Sequence, residues 1–176
     1  MNKNNNPQKN NKIVRKPGRT ILVKSTDPVP TENLKGLLSS VKTNNDNNFL
    51  VFDTVENSKE AFKTLRQNND IKIKYAHYRI FFTMSGLDDT TDYTTLKKSH
   101  IDWIKEKSNA DVLYYKQYKK ENKYLGCGDF TIDTKESLDK LLSKTDLKTY
   151  SFEKFSGIFY RYNNKKHETK PEDTHE

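Results

Sequence analysis

The stretch spanning residues 71–84, IKIKYAHYRIFFTM, constrains the fold of this chain more than any other, because its apolar alternation changes phase halfway along. Ile71, Ile73 and Tyr75 fall on odd positions, whereas Ile80, Phe82 and Met84 fall on even ones. A single strand keeps its buried face at period two, so the change marks a slip, a bulge or two strands meeting end to end. Two strands joined around residues 76–79 fit best. The first then closes an N-terminal unit and the second opens a C-terminal one.

Before the junction the pattern reads strand, helix, strand, helix, strand. Residues 20–24, TILVK, form the first strand, and Pro28 and Pro30 end it because neither can donate to a ladder. Leu34, Leu37, Leu38 and Val41 recur at helical spacing and predict a helix from about Thr31, with room for a short strand around residues 40–43 if that helix stops early. Residues 43–48, TNNDNN, are turn chemistry. Residues 48–54 form the next strand, and Asn57 or Ser58 is placed to cap a helix carrying Ala61, Phe62 and Leu65.

After the junction the order is strand, helix, strand, strand, helix, strand. Leu96, His100, Trp103 and Ile104 stripe a helix over about residues 93–108, and residues 110–118 and 123–133 flank a basic hairpin turn. Thr134 caps a helix bearing Leu138, Leu141 and Leu142, and residues 150–155 and 158–162 supply closing strands. Phe52, Asp53 and Thr54 before one helix echo Ile132, Asp133 and Thr134 before another, which suggests an internal repeat. The expected organisation is a basic disordered tail over 1–19, an abbreviated unit over 20–76, a second unit over 79–162 and a loose charged tail over 163–176.

A hydrophobic content of 32% suits two small helix-on-sheet cores better than one large interior. The formal charge of +8 is unevenly spread: residues 1–19 carry +6 without an acid, residues 163–176 carry −1, and +3 remains between them. The Asn- and Lys-rich composition resembles coding in an AT-rich genome such as that of a giant virus. One cysteine, Cys127, excludes an internal disulfide. No apolar run reaches the roughly 20 residues of a membrane span, and the N-terminus lacks the apolar core of a secretion signal, so the expectation is an intracellular protein of cytoplasm or nucleus.

The strand and helix order, with its basic hairpin, resembles the RNA-recognition motif, a ferredoxin-like sandwich of two helices on a four-stranded sheet. The fold class it implies is α+β, with two such units in tandem and the first abbreviated. That family's third strand carries a glycine and aromatic pattern onto which residues 125–132, LGCGDFTI, fall: Gly126 and Gly128 match, Phe130 and Ile132 take the buried positions, and Cys127 and Asp129 stand where aromatics would face outward. On the companion strand Phe81 points outward. In the first unit Phe49 keeps one stacking position, with Asn47 and Leu22 at the others. Asp129 is thereby expected to turn a negative charge toward phosphates.

The function this implies is non-catalytic binding of nucleic acid, RNA ahead of DNA, in the single-stranded form. Its candidate contacts are Arg15, Lys16 and Arg19 in the tail, Phe49 and Phe81 on the sheets, and Lys116, Lys119, Lys120, Lys123 and Arg161 around the second sheet. The alternative is a protein-interaction or structural module whose sheet face docks a protein or the other repeat. No glycine-rich phosphate loop, zinc-ligand spacing or nucleophile motif points to an enzyme or a cofactor. His100 on its apolar stripe reads as a packed histidine, and Asp88, Asp89 and Asp92 read as loop and cap acids.

Overall fold

Nine strands, whose alternating apolar residues put one face of each sheet in a core, assemble among the described residues into two antiparallel sheets. The computed structural model describes residues 15–162. The first sheet contains β1 (Thr20–Lys24), β2 (Leu37–Lys42), β3 (Asn47–Phe52) and β4 (Lys72–Tyr75), with helix α1 (Val55–Arg66) between the last two. The second contains β5 (Tyr78–Thr83), β6 (Val112–Lys120), β7 (Lys123–Ile132), β8 (Leu147–Phe152) and β9 (Phe155–Arg161), with α2 (Tyr93–Ser108) after β5 and α3 (Lys135–Leu142) after β7.

The spatial orders are β2-β3-β1-β4 and β6-β7-β5-β9-β8. With the added edge strand β8 set aside, both sheets place their second, third, first and last strands side by side. That is the ferredoxin-like arrangement in both units. The first is abbreviated because it lacks the helix between its first two strands.

The phase change is resolved as two strands. Ile73 and Tyr75 lie against the first core with Ile21, Val23, Leu50, Phe52, Ala61 and Leu65. Ile80, Phe82 and Met84 belong to a separate core with Leu96, Ile104, Phe130, Leu138 and Phe159. Gly128 sits on the helix side of β7, where a Cβ would come within 2.0 Å of the Lys116 carbonyl and 2.7 Å of the Phe82 ring. Its bare backbone leaves that space to the ring.

The stripe Leu34, Leu37, Leu38 and Val41 does not form a helix. Gly36 interrupts it at φ +73°, and its carbonyl accepts the Asp53 amide at 2.9 Å. A side chain there would collide with Asp53, so the backbone turns and enters β2 as an edge strand, with an irregularity between Leu37 and Ser39. Helix α1 starts earlier than expected. Its cap is Thr54, whose side chain accepts the Asn57 amide at 3.1 Å, just as Thr134 accepts the Ser137 amide at 3.2 Å before α3.

Of the expected tail over 1–19, residues 15–19 are described: Gly18 is buried and Arg19 half-buried against the second unit, while Arg15 and Lys16 are exposed. Residues 1–14 and 163–176 lie outside the described residues. The Gly18 carbonyl accepts the Ser58 hydroxyl at 2.8 Å, and the Arg15 guanidinium donates to the Tyr75 carbonyl at 3.2 Å. Arg19 donates to the fully buried Asp133 through Nε at 2.7 Å and Nη2 at 3.2 Å, and the Thr20 hydroxyl donates to the Asp133 carbonyl at 2.6 Å. The side-chain hydrogen bond between Arg19 and Asp133 holds the Arg19 pKa above its ordinary value.

A buried carboxylate deprived of its cation is left uncompensated, which costs about 3–5 kcal/mol in a dry site. Part of the Arg19 side chain stays in water, so Arg19→Met is expected to cost somewhat less, about 2–4 kcal/mol, in denaturant unfolding at neutral pH. Adding Asp133→Asn to that variant should recover part of the loss. The fragment 79–162, whose core is complete in itself, should fold but show a lower midpoint than the same unit in the full chain.

Candidate nucleic-acid interface

The helices cover one face of the second sheet, and alternation sends every second residue of each strand to the other. On β5 the outward residues are Arg79, Phe81 and Thr83, since Ile80 and Phe82 are in the core. Across from Phe81 lie Asp129 on β7 and Tyr160 on β9. Lys116 on β6 pairs with Asp129, and Tyr114 and Tyr118 share its face. Tyr162 follows β9 opposite Arg79, to whose carbonyl its amide donates at 3.3 Å. Tyr114 and Tyr162 remain 48% and 38% exposed, so neither helices nor the first unit cover this surface.

Its centre is an aromatic cluster around a charge pair whose carboxylate is buried. The Phe81 ring lies 5.2 Å from that of Tyr162 and 6.5 Å from that of Tyr118. The Arg79 guanidinium stands 5.1 Å from the Phe81 centroid and 4.8 Å from that of Tyr162. Asp129, only 1% exposed, accepts Arg79 Nε and, at 2.9 Å, the Tyr118 hydroxyl. Burial, and then this bond, raise the Tyr118 pKa. The expectation that Asp129 repels phosphate is therefore corrected: its charge is compensated beneath the surface by Arg79, a residue the motif reading passed over.

The basic candidates divide. Lys116 stands on the open face, 5.9 Å from the Tyr118 ring. Lys120 and Lys123 are exposed where β6 meets β7. Lys119 lies 4.3 Å from the ring of Tyr124, which stacks on Tyr93 at the start of α2, and so stands on the helix side.

Arg161 is a correction. It shares the helix-side face of β9 with buried Phe159 and is held by Asp139 on α3 at 3.4 Å and by Asp146 at 3.2 Å. Arg19 is likewise committed, to Asp133. Arg15 is exposed apart from its bond to Tyr75, and Lys16 is exposed with its carbonyl 2.8 Å from His77 Nε2.

The first sheet has its own open face. Phe49 lies between Leu22 and Val41 in the ladder, and Lys24 and Lys72 face each other at one end, with Lys74 opposite Leu22. A shallow groove of about 220 Å³ is lined by Leu22, Lys24, Asn47, Lys72 and Lys74. These lysines were missed, though alternating Lys72 and Lys74 between Ile71, Ile73 and Tyr75 carried the signal.

Elsewhere the titratable groups have structural duties. Asp92 caps α2, accepting the Thr94 amide at 3.0 Å and the Thr95 hydroxyl at 2.6 Å, and Asp88 accepts the Thr90 and Thr91 hydroxyls at 2.6 and 3.2 Å. Hydrogen bonds from threonines lower the pKa of both. No helix among the described residues is long and apolar enough to cross a membrane.

No family model and no curated protein matches the chain. Among solved structures it is similar to the RNA-binding domain of Hrp1 in complex with RNA, at 14% identity and a TM-score of 0.37, covering 86% of this chain and 100% of that one. It is also similar to the NONO-1 homodimer of C. elegans, at 13% identity and a TM-score of 0.34, covering 76% and 56%. A third is a Sxl-lethal protein–RNA complex, at 14% identity and a TM-score of 0.28, covering 72% and 88%. Likeness at these scores carries no functional weight.

His100 yields a prediction separable from binding. It is fully buried among Phe82, Tyr115, Trp103, Tyr150, Phe152 and Phe159, with Nδ1 2.7 Å from the Tyr115 hydroxyl and Nε2 without a partner among the described residues. Burial pushes its pKa down from 6.5 to about 3. Between those values the unfolded chain binds a proton that the folded chain does not, so stability falls as pH drops through that window. About 2 kcal/mol should be lost between pH 7 and pH 5 in urea unfolding. His100→Gln should flatten that slope.

Proposed function

We propose that this protein is a non-catalytic binder of single-stranded nucleic acid, RNA in preference to DNA, acting through the open face of its second sheet. One observation carries the reading: Phe81, Tyr118 and Tyr162 cluster on an uncovered sheet face with Lys116 at its side, and the single acid among them is already neutralised. Rings exposed on a flat sheet are stacking platforms for unpaired bases, and lysines at the margin attract the backbone. The phosphate-facing charges are Lys116, Lys120 and Lys123 on the second unit and Lys24, Lys72 and Lys74 on the first. The tail adds Lys3, Lys9 and Lys12 from outside the described residues.

Protein docking is the competing reading, and the edge strand β2 favours it at one place. Leu38 and Val41 are 67% and 55% exposed there, on a strand whose outer edge has no neighbour among the described residues. Exposed apolar side chains on an open edge suit strand addition by a partner chain.

Titration with short RNA oligonucleotides separates the two. Phe81→Ala is expected to weaken RNA binding by about 1–3 kcal/mol, the value of one stacked base. If the variant instead loses stability or self-association while the parent shows no RNA affinity, the nucleic-acid reading fails. Deleting residues 1–14 removes three lysines and leaves the Arg19 joint intact. The slope of log K against log salt should then become shallower by about 2, at roughly 0.7 per phosphate contact on single strands.

A further inference from the structure

We propose that Arg79 reads a base, selecting an unpaired guanine stacked on Phe81; this rests on the nucleic-acid reading of the second sheet. The pair it forms with Asp129 is asymmetric. Asp129 keeps 1% of its side-chain surface, whereas Arg79 keeps 40%, so the guanidinium is the outward member. The carboxylate holds the arginine through Nε, the Tyr118 hydroxyl lies close to the guanidinium, and among the described residues no hydrogen bond of good geometry engages its two terminal nitrogens.

The result is a planar fork fixed at its stem, with the outer donors available to a ligand. It lies over the Phe81 ring, 5.1 Å from the centroid, and over that of Tyr162 at 4.8 Å, within the aromatic cluster that a base would join.

Charge decides what the fork takes. A phosphate also offers paired oxygens, but Asp129 cancels the positive charge that would draw one in, while Lys116 on the same face keeps its own. A neutral base edge suffers no such loss. Guanine presents two adjacent acceptors, O6 and N7, that match the fork, whereas adenine presents one acceptor and one donor, which would face an N–H of the arginine. In single strands these edges are open to side chains.

The test uses the full chain and short single-stranded oligonucleotides that differ at one position, guanine, adenine or 7-deazaguanine, read by fluorescence anisotropy. Guanine should bind about tenfold tighter than adenine, and 7-deazaguanine, which lacks the N7 acceptor, should lose most of that margin without any change to the protein. Arg79→Lys keeps a cation for Asp129 and should abolish the preference for guanine at an unchanged melting temperature. Phe81→Ala should weaken all three ligands.

Equal affinity for guanine and adenine, or a preference that survives Arg79→Lys, overturns the inference. It leaves the function standing so long as the oligonucleotides bind and Phe81→Ala weakens them. A uniform weakening by Arg79→Lys with a shallower salt slope would make Arg79 a phosphate contact and also overturn it. Absence of binding to every oligonucleotide removes the function and this inference together.

Discussion

The joint between the two units depends on one desolvated carboxylate. Asp133, at the end of β7 and just before the Thr134 cap of α3, has no access to water, and burying such a carboxylate is costly unless it is paired and hydrogen-bonded. Its partner comes from 114 positions earlier in the chain, where Arg19 supplies Nε, Nη2 and its backbone amide. The entry to β1 is thus pinned to the second unit before the first strand has begun. Each unit has its own core, but the segment that feeds one sheet completes the electrostatics of the other.

The same reasoning accounts for the distribution of free charge. Three arginines, Arg19, Arg79 and Arg161, are each held by aspartates. The planar fork of arginine suits such paired sites, whereas a lysine is a compact, strongly hydrated charge on a flexible stem. The outward cations of both sheets are accordingly mostly lysines. Their attraction for a polyanion would be diffuse and sensitive to salt, so discrimination between ligands has to come from the rings and from Arg79, whose fork stands among them.

Period-two alternation made most of this legible. The phase change at residues 75–80 located the boundary between the units, and the parity of Phe81, Asp129, Phe130 and Ile132 assigned their faces. Parity could also have removed Arg161, which is two residues from buried Phe159 and therefore on the helix side. Partnership across the chain was not legible: nothing local to Asp129 names Arg79, and nothing local to Arg19 names Asp133. The stripe from Leu34 to Val41 misled because four apolar residues fit a helix and an edge strand with its preceding turn alike. Gly36, held at a positive φ beneath Asp53, decides between them.

That decision bears on how the two units compare. Asp53-Thr54 and Asp133-Thr134 occupy equivalent places, and both threonines cap the following helix. The aspartates have separated in environment. Asp53 is exposed, and the Asn57 amide, donating at 2.8 Å, lowers its pKa. Asp133 is buried because residues 18–20 cross it, with Gly18 placed so that even a Cβ would come within 2.9 Å of the Asp133 Cβ. Among the described residues no such segment crosses Asp53; its turn instead faces Gly36, where a second missing Cβ lets the β1–β2 connection pass. One short strand-to-helix turn thereby serves as a joint in the second unit and, in the first, as the support for the loop that replaces a helix.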